Sequence, residues 1–277
     1  MKKAIQLQEH DADIMMEYAE KAGYEYISLG FGSSKIFHED NWENRISELS
    51  AAMDKYHLKC VQTHLPYYDL RIDSSIIDED MEEAIRRCIK ATAMLGAKWT
   101  AMHLRSAYDR NFSESRAYSD NCRCIDDYLT VAQKAGAGIA LENLPIFPGA
   151  PQWHFYSSHY EDICAIADKY KGDNIGICWD FGHAHITGLD GVQALEYVGD
   201  RLRITHIHDN FDKDDNHIIP TLGTDNWERL MPVLKKIGYK GPLTLEIDYK
   251  INPVTESFTA CSYKAVEYLE KLMDKVV

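Results

Sequence analysis

The stretch NIGICWDFGHAH, residues 174–185, contains the pattern that decides the fold of this chain. A largely apolar run ends at Trp179, and Asp180 begins a turn of the form Asp-x-x-His. Such a short run without polar alternation is typical of a strand that is buried on both faces, as in a parallel sheet. A carboxylate at the end of a buried strand is costly unless cations or hydrogen-bond donors pair with it. The stretch therefore predicts a parallel strand that delivers a functional acid.

The same arrangement recurs along the chain. The run AGIALEN, residues 137–143, carries Glu142 near its end, and PLTLEID, residues 242–248, carries Glu246 at the corresponding place. These short runs alternate with longer segments whose apolar residues recur every three or four positions, as in amphipathic helices. The predicted strands are residues 4–8, 24–30, 58–65, 97–104, 137–143, 174–180, 203–208 and 242–247.

Each predicted strand is followed by a segment with helical periodicity. Several of these segments end at glycines that suit the left-handed conformation of a helix C-terminus, namely Gly23, Gly96, Gly136 and Gly238. About eight strand–helix units in roughly 250 residues are typical of a closed (β/α)8 barrel. We therefore predict an α/β fold, a single TIM barrel, in one domain over residues 1–277. A doubly wound open sheet is the alternative, because a strand count from sequence carries an error of about one or two.

Composition narrows the range of functions. Of 277 residues, 45% are hydrophobic, which is enough for a large core. Lys and Arg number 30 against 44 Asp and Glu, and the formal net charge is -14 at pH 7. This balance argues against nucleic acid as a partner, because polyanion binding depends on clustered basic side chains.

Cysteine usage and hydropathy indicate the compartment. The 7 cysteines are scattered, odd in number and without a Cys-x-x-Cys pair, which favours reduced thiols. No apolar run approaches the ~18 residues of a membrane span, and the N-terminus lacks the apolar stretch of a secretion signal. We therefore expect a cytoplasmic protein without a membrane partner, and the sequence leaves open whether it forms a homo-oligomer.

A barrel of this kind places its catalytic groups at the carboxyl ends of the strands and in the loops that follow. Polar residues occupy these places on the third to eighth predicted strands: His64, His103, Glu142, Asp180 with His183, His206 with His208, Glu246, and Asp215 with His217 in the seventh loop. Carboxylates and imidazoles that converge on one rim form a ligand set for a divalent metal. Glu142 and Glu246 are the strongest candidates for ligation or catalysis, and an ion pair with Arg105 is their structural alternative.

The other candidates have structural interpretations of similar weight. Asp180 with His183 also fits an Asx turn or a helix cap. His206 and His208 are two apart on a strand and share a face, so periodicity does not decide which one reaches a metal. Cys178 shares the face of Asp180, where packing in a deeper barrel layer explains it.

Together, these motifs resemble the xylose isomerase-like superfamily of (β/α)8 barrels, which contains sugar and sugar-phosphate isomerases and epimerases, dehydratases, and endonuclease IV. The resemblance extends over residues 4–270. The motifs that carry it are HLPYYDL (64–70), LEN (141–143), GICWDFGHAH (176–185), HIHDN (206–210), Asp-x-His followed by PTLG (215–223), and LEI (245–247). The chain reads Gly-Thr-Asp at 223–225 where the family normally has a second glycine, a departure that concerns the shape of this loop.

The isomerase and epimerase branch implies a role for each residue. The implied metal ligands are Glu142, Asp180, His206 and Glu246. The two glutamates would also be the catalytic residues that move protons. The implied substrate contacts are His183, His208, Arg105 and His64. The ligand types favour manganese or zinc, and cobalt and magnesium are also compatible.

We therefore expect a metal-dependent sugar or sugar-phosphate isomerase or epimerase that works through an enediolate and has a small sugar as its partner. The endonuclease IV branch is the main alternative, because its larger zinc-binding set is matched too. The further ligands of that set would be His64 and His103 beside Glu142, and His183, Asp215 and His217. The net charge of -14 argues against that branch. A dehydratase of the same fold is the third possibility.

Overall fold

The computed structural model describes residues 1–67, 77–105, 113–146, 156–170, 172–211, 213–247 and 255–275. Its eight strands alternate with helices along the chain. The strands are β1 Lys3–Gln8, β2 Tyr26–Gly30, β3 Lys59–His64, β4 Trp99–Met102, β5 Gly138–Glu142, β6 Ile175–Asp180, β7 Leu202–His206 and β8 Leu243–Leu245. Each strand boundary lies within two residues of the predicted one, because buried parallel strands are rich in apolar residues.

The strands are all parallel and form a barrel. Neighbours are hydrogen-bonded in the order β7-β6-β5-β4-β3-β2-β1-β8. Between β7 and β8, the Ile207 N–H donates to the Thr244 carbonyl at 2.8 Å, and the Glu246 N–H donates to the Ile207 carbonyl at 3.0 Å. These two bonds close the sheet on itself. The predicted (β/α)8 barrel is confirmed, and the open sheet is excluded.

The helices cover the outside of the barrel. They are α1 Ala12–Ala22, α2 Trp42–Lys55, α3 Glu79–Met94, α4 Glu114–Ala135, α5 Tyr160–Tyr170, α6 Phe181–Thr187, α7 Gly191–Val198, α8 Trp227–Lys236 and α9 Glu256–Leu272. The predicted helix-ending glycines all have positive φ, with values from 75° at Gly238 to 100° at Gly23. Within the described ranges, no helix is both long and apolar enough to cross a membrane.

The core has two layers. The larger one lies between strands and helices, and it contains the fully buried Trp179, whose side chain faces the helices. A small inner layer fills the barrel and consists of Trp99, Ala101, Ala140, Cys178 and Ile204. This inner layer forms a floor, so the polar residues at the strand ends lie in a cup that opens toward the βα loops.

Candidate metal centre

The ends of β5, β6, β7 and β8 bring four predicted ligands together. Each residue offers one donor atom, and all these atoms lie within 4.8 Å of one another. The four residues are Glu142, Asp180, His206 and Glu246. Donors that share one divalent ion at ~2.1 Å are separated by about 3.4 Å in a tetrahedral site. Modest side-chain adjustment therefore lets this central set hold a single ion.

His206 lies at the middle of the central set and is fully buried. Its Nδ1 is 3.1 Å from Glu142 Oε1 and 3.0 Å from Glu246 Oε2. These contacts are close but not aligned as hydrogen bonds. Burial alone would lower the pKa of His206, but Cys178 and the two glutamates outweigh burial and raise the pKa well above 6.5. Without a metal, the His206 ring is therefore protonated. Its positive charge then lies between the two glutamate carboxylates, where a metal cation would also fit.

Both glutamates are ionised. Burial would raise the pKa of Glu142, but His206 and His103 outweigh burial and hold that pKa well below 4.5. The pKa of Glu246 is also lowered, since His206 outweighs the effect of burial and of the negative charge on Glu142. The Glu246 side chain also accepts a hydrogen bond from Gln6. Two carboxylates that remain charged in a buried site are suited to metal ligation and to proton abstraction.

Asp180 combines the two roles that the sequence left as alternatives. Its Oδ1 caps α6 by accepting the His183 N–H at 2.7 Å. The same carboxylate lies 3.0 Å and 3.2 Å from His208 Nε2. The Asn143 side chain fixes the backbone of Asp180, with bonds of 2.8 Å to its N–H and to its carbonyl. One oxygen therefore caps the helix while the carboxylate still belongs to the central set.

A second donor set shares Glu142 and contains His64 and His103. Glu142 Oε2 lies 3.0 Å from His64 Nε2 and 3.3 Å from His103 Nε2. The Nδ1 of His64 lies 2.8 Å from the Leu65 carbonyl, which fits Nδ1–H as the donor and turns Nε2 toward the Glu142 carboxylate. A backbone carbonyl that holds the far nitrogen is a common feature of metal-binding histidines. Burial outweighs the nearby Glu142 and lowers the pKa of His103, which keeps it neutral.

The outer set lies nearer the barrel mouth and consists of His183, His208, Asp215 and His217. Asp215 Oδ2 is 3.6 Å from His183 Nε2 and 3.4 Å from His217 Nε2. The two rings reach backbone carbonyls through Nδ1, at 2.9 Å for His183 to Asn143 and 3.0 Å for His217 to Glu246. Each Nδ1 therefore acts as the donor, and each Nε2 faces the Asp215 carboxylate. This arrangement fits either a proton on each Nε2 or one shared cation.

The pKa values of the outer set indicate that each Nε2 carries a proton when no metal is bound. Burial alone would lower both histidine pKa values, but Asp180, Asp215 and Glu142 raise the pKa of His183 to about 10. Asp215 and Glu246 raise the pKa of His217 to about 9. The pKa of Asp215 is lowered, because its bonds to the two histidines outweigh burial. The outer set thus holds positive charge in the metal-free protein.

The structure places most of the predicted site residues in these three sets. It assigns His206 to the central set and His208 to the outer one, the choice that periodicity left open. Arg105 is the exception. Its side chain is buried in an ion pair with Glu82 and donates to Tyr128 Oη at 2.9 Å. The alternative that Arg105 pairs with the strand-end glutamates is therefore wrong. The contacts of Arg105 favour a structural role for this residue over a contact with substrate.

Two further residues lie beside the site: Cys178, which the sequence assigned to a deeper packing layer, and Tyr67, whose contact sequence reasoning overlooked. The Cys178 sulfur lies within the same 4.8 Å limit of donor atoms of Glu142 and His206, although it belongs to the inner packing layer. Burial raises the pKa of Cys178 to about 12, so it is a thiol at neutral pH. The Tyr67 ring stacks on His103 with 5.2 Å between centroids. The sequence did contain a signal for Cys178, because a residue two positions before Asp180 on a strand lies on the same face. It contained none for the contact between Tyr67 and His103, which joins separate loops.

Comparison with known proteins gives the family. The family described as xylose isomerase-like TIM barrel matches residues 16–265. Uncharacterized protein y4fM of Sinorhizobium fredii is 27% identical over 213 residues, and the match covers 76% of this chain but only 64% of y4fM. Inosose isomerase of Bacillus velezensis is 21% identical over 238 residues, which cover 84% of this chain and 81% of that protein.

Solved structures agree in fold. D-psicose 3-epimerase in the presence of D-fructose superposes with a TM-score of 0.79 and 14% identity, over 99% of this chain and 100% of that one. IOLI protein with a bound zinc atom superposes with a TM-score of 0.77 and 17% identity, over 100% of both chains. Together with the match over residues 16–265, these findings show that the chain belongs to the xylose isomerase-like TIM barrel family.

Proposed function

We propose that the protein is a metal-dependent isomerase or epimerase that acts on a small sugar or sugar phosphate by proton transfer. The observation that carries this proposal is the central set, in which two ionised glutamates approach the same nitrogen of His206 at 3.1 Å and 3.0 Å. Relatives named as an inosose isomerase and a D-psicose 3-epimerase support the reaction class.

The residues present fit a divalent cation. Glu142, Asp180, His206 and Glu246 would hold it, and their oxygen and nitrogen donors favour manganese or zinc, with cobalt and magnesium also compatible. The zinc atom in the IOLI structure supports such a site in this fold. When bound, the ion would supply Lewis-acid stabilisation of an enediolate, a contribution of several kcal/mol.

The two glutamates would move the proton. Since nearby histidines lower the pKa of both, Glu142 and Glu246 are carboxylates at neutral pH and can accept a proton from carbon. One would remove the proton beside the substrate carbonyl, become a carboxylic acid and later release that proton to solvent. The other, after taking up a proton from solvent, would deliver it to the same carbon or its neighbour. Return to the same carbon gives an epimer, and return to the neighbouring carbon gives an isomer.

Three histidines would orient the substrate. His64 turns its Nε2 toward the cup, because its Nδ1 faces a backbone carbonyl. His183 and His208 lie beside Asp180 at the mouth of the cup and would bind substrate hydroxyls. A water-soluble small molecule and free thiols, six of them buried, are consistent with a cytoplasmic enzyme.

The test is deuterium exchange. Wild-type protein loaded with manganese or zinc would be incubated in D2O with ketoses, ketose phosphates and inosose, and deuterium in the substrate would be followed by NMR. We expect Glu142→Gln and Glu246→Gln to lower exchange by at least about 10²-fold. Glu83→Gln, on the outer helix α3, is the control and should retain wild-type exchange. Wild-type exchange in Glu142→Gln would refute the catalytic role.

One observation favours a second candidate, an endonuclease IV-like phosphodiesterase with three zinc ions. The central set, the His64–His103 set and the outer set lie side by side and share Glu142 or neighbouring residues. Elemental analysis of protein purified without chelator separates the two functions. About one metal per chain retained through purification supports the isomerase or epimerase, whose outer set would then be filled only by added zinc. About three retained zinc ions support the phosphodiesterase, for which nicking of abasic DNA is the next assay.

A further inference from the structure

We infer that Asp209 is a positioning residue that fixes the β7–α8 loop, described over residues 211 and 213–226, so that Asp215 and His217 reach the outer set. The inference deepens the proposed function, because it rests on the outer set as a binding site for metal or substrate. Asp209 itself lies outside the three donor sets and is fully buried. Its role must therefore come from what its carboxylate holds.

Four donors converge on the Asp209 carboxylate. Oδ1 accepts the N–H groups of Asn210 at 3.0 Å and Asp225 at 3.1 Å. Oδ2 accepts the Thr221 N–H at 2.8 Å and the indole N–H of Trp227 at 2.8 Å. Both oxygens are thus saturated by donors from the start, the middle and the end of the loop.

This arrangement requires a carboxylate. An asparagine at position 209 has nearly the same volume, but one of its ends is an NH2 group. Either orientation turns that NH2 toward two N–H donors, and buried donors without acceptors are strongly disfavoured. A carboxylate satisfies all four donors at once, so the chemistry of this position selects Asp over its closest isostere.

Hydrogen bonds of the adjoining residues also fix the part of the loop that carries Asp215 and His217. Asp209 and Ile218 exchange two backbone bonds of 2.9 Å. Asn210 Oδ1 accepts the N–H groups of Asn216 at 2.7 Å and His217 at 3.2 Å. His217 has a φ of 47°, in the left-handed region that non-glycine residues seldom adopt. These bonds hold His217 in that conformation, which directs its ring to Asp215.

Gly223 shows how closely the loop packs on this carboxylate. A Cβ at position 223 would lie 2.2 Å from Asp209 Oδ1 and 2.4 Å from the Asn210 carbonyl. The backbone at this position has no room to absorb a methyl group. Segment 223–225 is therefore part of the same arrangement, since Gly223 allows the approach and the Asp225 backbone N–H supplies one of the four donors.

Asp209 also connects the loop to the helix that carries His183. Trp227 begins α8, and its ring packs on Phe181 with 5.5 Å between centroids. Phe181 follows Asp180 directly and opens α6. The buried Asp209 carboxylate thus fixes the position of the loop that carries Asp215 and His217 relative to the helix that carries His183. Loss of that carboxylate should disperse the outer set, while the central set keeps its strand-end positions.

The test combines two variants with a matched control. Asp209→Asn and Gly223→Ala disturb the arrangement from its two sides, and Asp190→Asn removes a carboxylate that caps α7 through two N–H groups. Amide hydrogen exchange of the metal-free protein would be measured by NMR at Thr221 and Asp225. Zinc affinity would be measured by competition with a chromophoric chelator. Trp227→Phe, which removes one donor and keeps a ring, is the milder substitute if Asp209→Asn fails to fold.

We expect at least tenfold faster exchange at both amides in Asp209→Asn and Gly223→Ala, and wild-type exchange in Asp190→Asn. Affinity at the outer set should fall by about 10- to 100-fold, as for other residues that orient ligands, while the central set changes less than about twofold. Unchanged exchange, or faster exchange without loss of outer affinity, would overturn the inference. Failure of the proposed function would look different, with neither exchange into sugars nor metal binding in the wild type.

Discussion

Binding of a divalent cation to the outer set should release about two protons at neutral pH. The protons come from His183 and His217, whose pKa values are raised to about 10 and about 9 in the metal-free protein. At a pH of about 7.5, each ring is then more than about 95% protonated, because that pH lies at least 1.5 units below either pKa. A cation ligated by Nε2 must displace both protons.

The size of the effect follows from this count. Release of two protons makes the logarithm of the binding constant rise by about two for each pH unit, which is about 2.7 kcal/mol. The dependence should hold from mildly acidic pH to about 9, where His217 begins to lose its proton without a metal. The central set should add about one proton, since His206 is also protonated in the metal-free state.

Isothermal titration calorimetry measures these protons directly. EDTA-stripped protein would be titrated with zinc at one pH in buffers of different ionisation enthalpy, and the slope of the observed enthalpy gives the proton number. His217→Gln should reduce the outer-set release by about one proton, because its pKa of about 9 accounts for that share. Zero release at pH 7.5, or the same release in His217→Gln, would refute the assigned protonation states.

Three further predictions concern stability and substrate alignment. The metal-free protein should lose thermal stability as the pH rises from 6.5 toward 10. The pKa of His183 is about 10 in the folded state and 6.5 in the unfolded state, so its protonation stabilises the folded state fully below 6.5. This stabilisation is lost as the pH rises to the folded-state pKa. Differential scanning calorimetry would show this, and a stability that rises over that range would contradict it. Glu82→Gln should lower the free energy of unfolding in urea by about 3 kcal/mol, because it replaces the carboxylate that pairs with the buried Arg105 guanidinium. The control Glu83→Gln, which breaks only pairs along α3, should cost less than about 1 kcal/mol, and equal losses would argue against a special buried pair. In Gly182→Ala, the new Cβ would lie 2.0 Å from His208 Cε1, so kcat/KM should fall by about 10²-fold and the crowding should also lower the Tm.

Local signals made much of this protein readable from sequence. Apolar runs without alternation mark strands buried on both faces, and a barrel has no other kind of strand. Glu142, Asp180 and Glu246 stood out because carboxylates are rare where such strands emerge. Parallel strands that close into a barrel bring their carboxyl ends to one rim, which is why residues far apart in the chain could be grouped in advance.

Contacts across the fold decided the rest. His206 and His208 lie on one face of the same chain segment, and only the three-dimensional placement of Asp180 and Asp215 separates their donor sets. Arg105 follows a strand like the ligands do, yet its side chain turns back to Glu82 on α3.

The sequence by itself therefore determined the strand–helix units and the acidic and imidazole composition of the rim, because hydrophobic periodicity and strand ends are local properties. Closure of the sheet into a barrel rests on the hydrogen bonds between β7 and β8, which only the structure shows. Only the tertiary structure decided which side chains share an ion, which one is buried in a structural pair, and that Asp209 gathers four donors from one loop. Those choices depend on distances of about 3 Å between residues far apart in sequence, and hydrogen bonds form only when such distances are met.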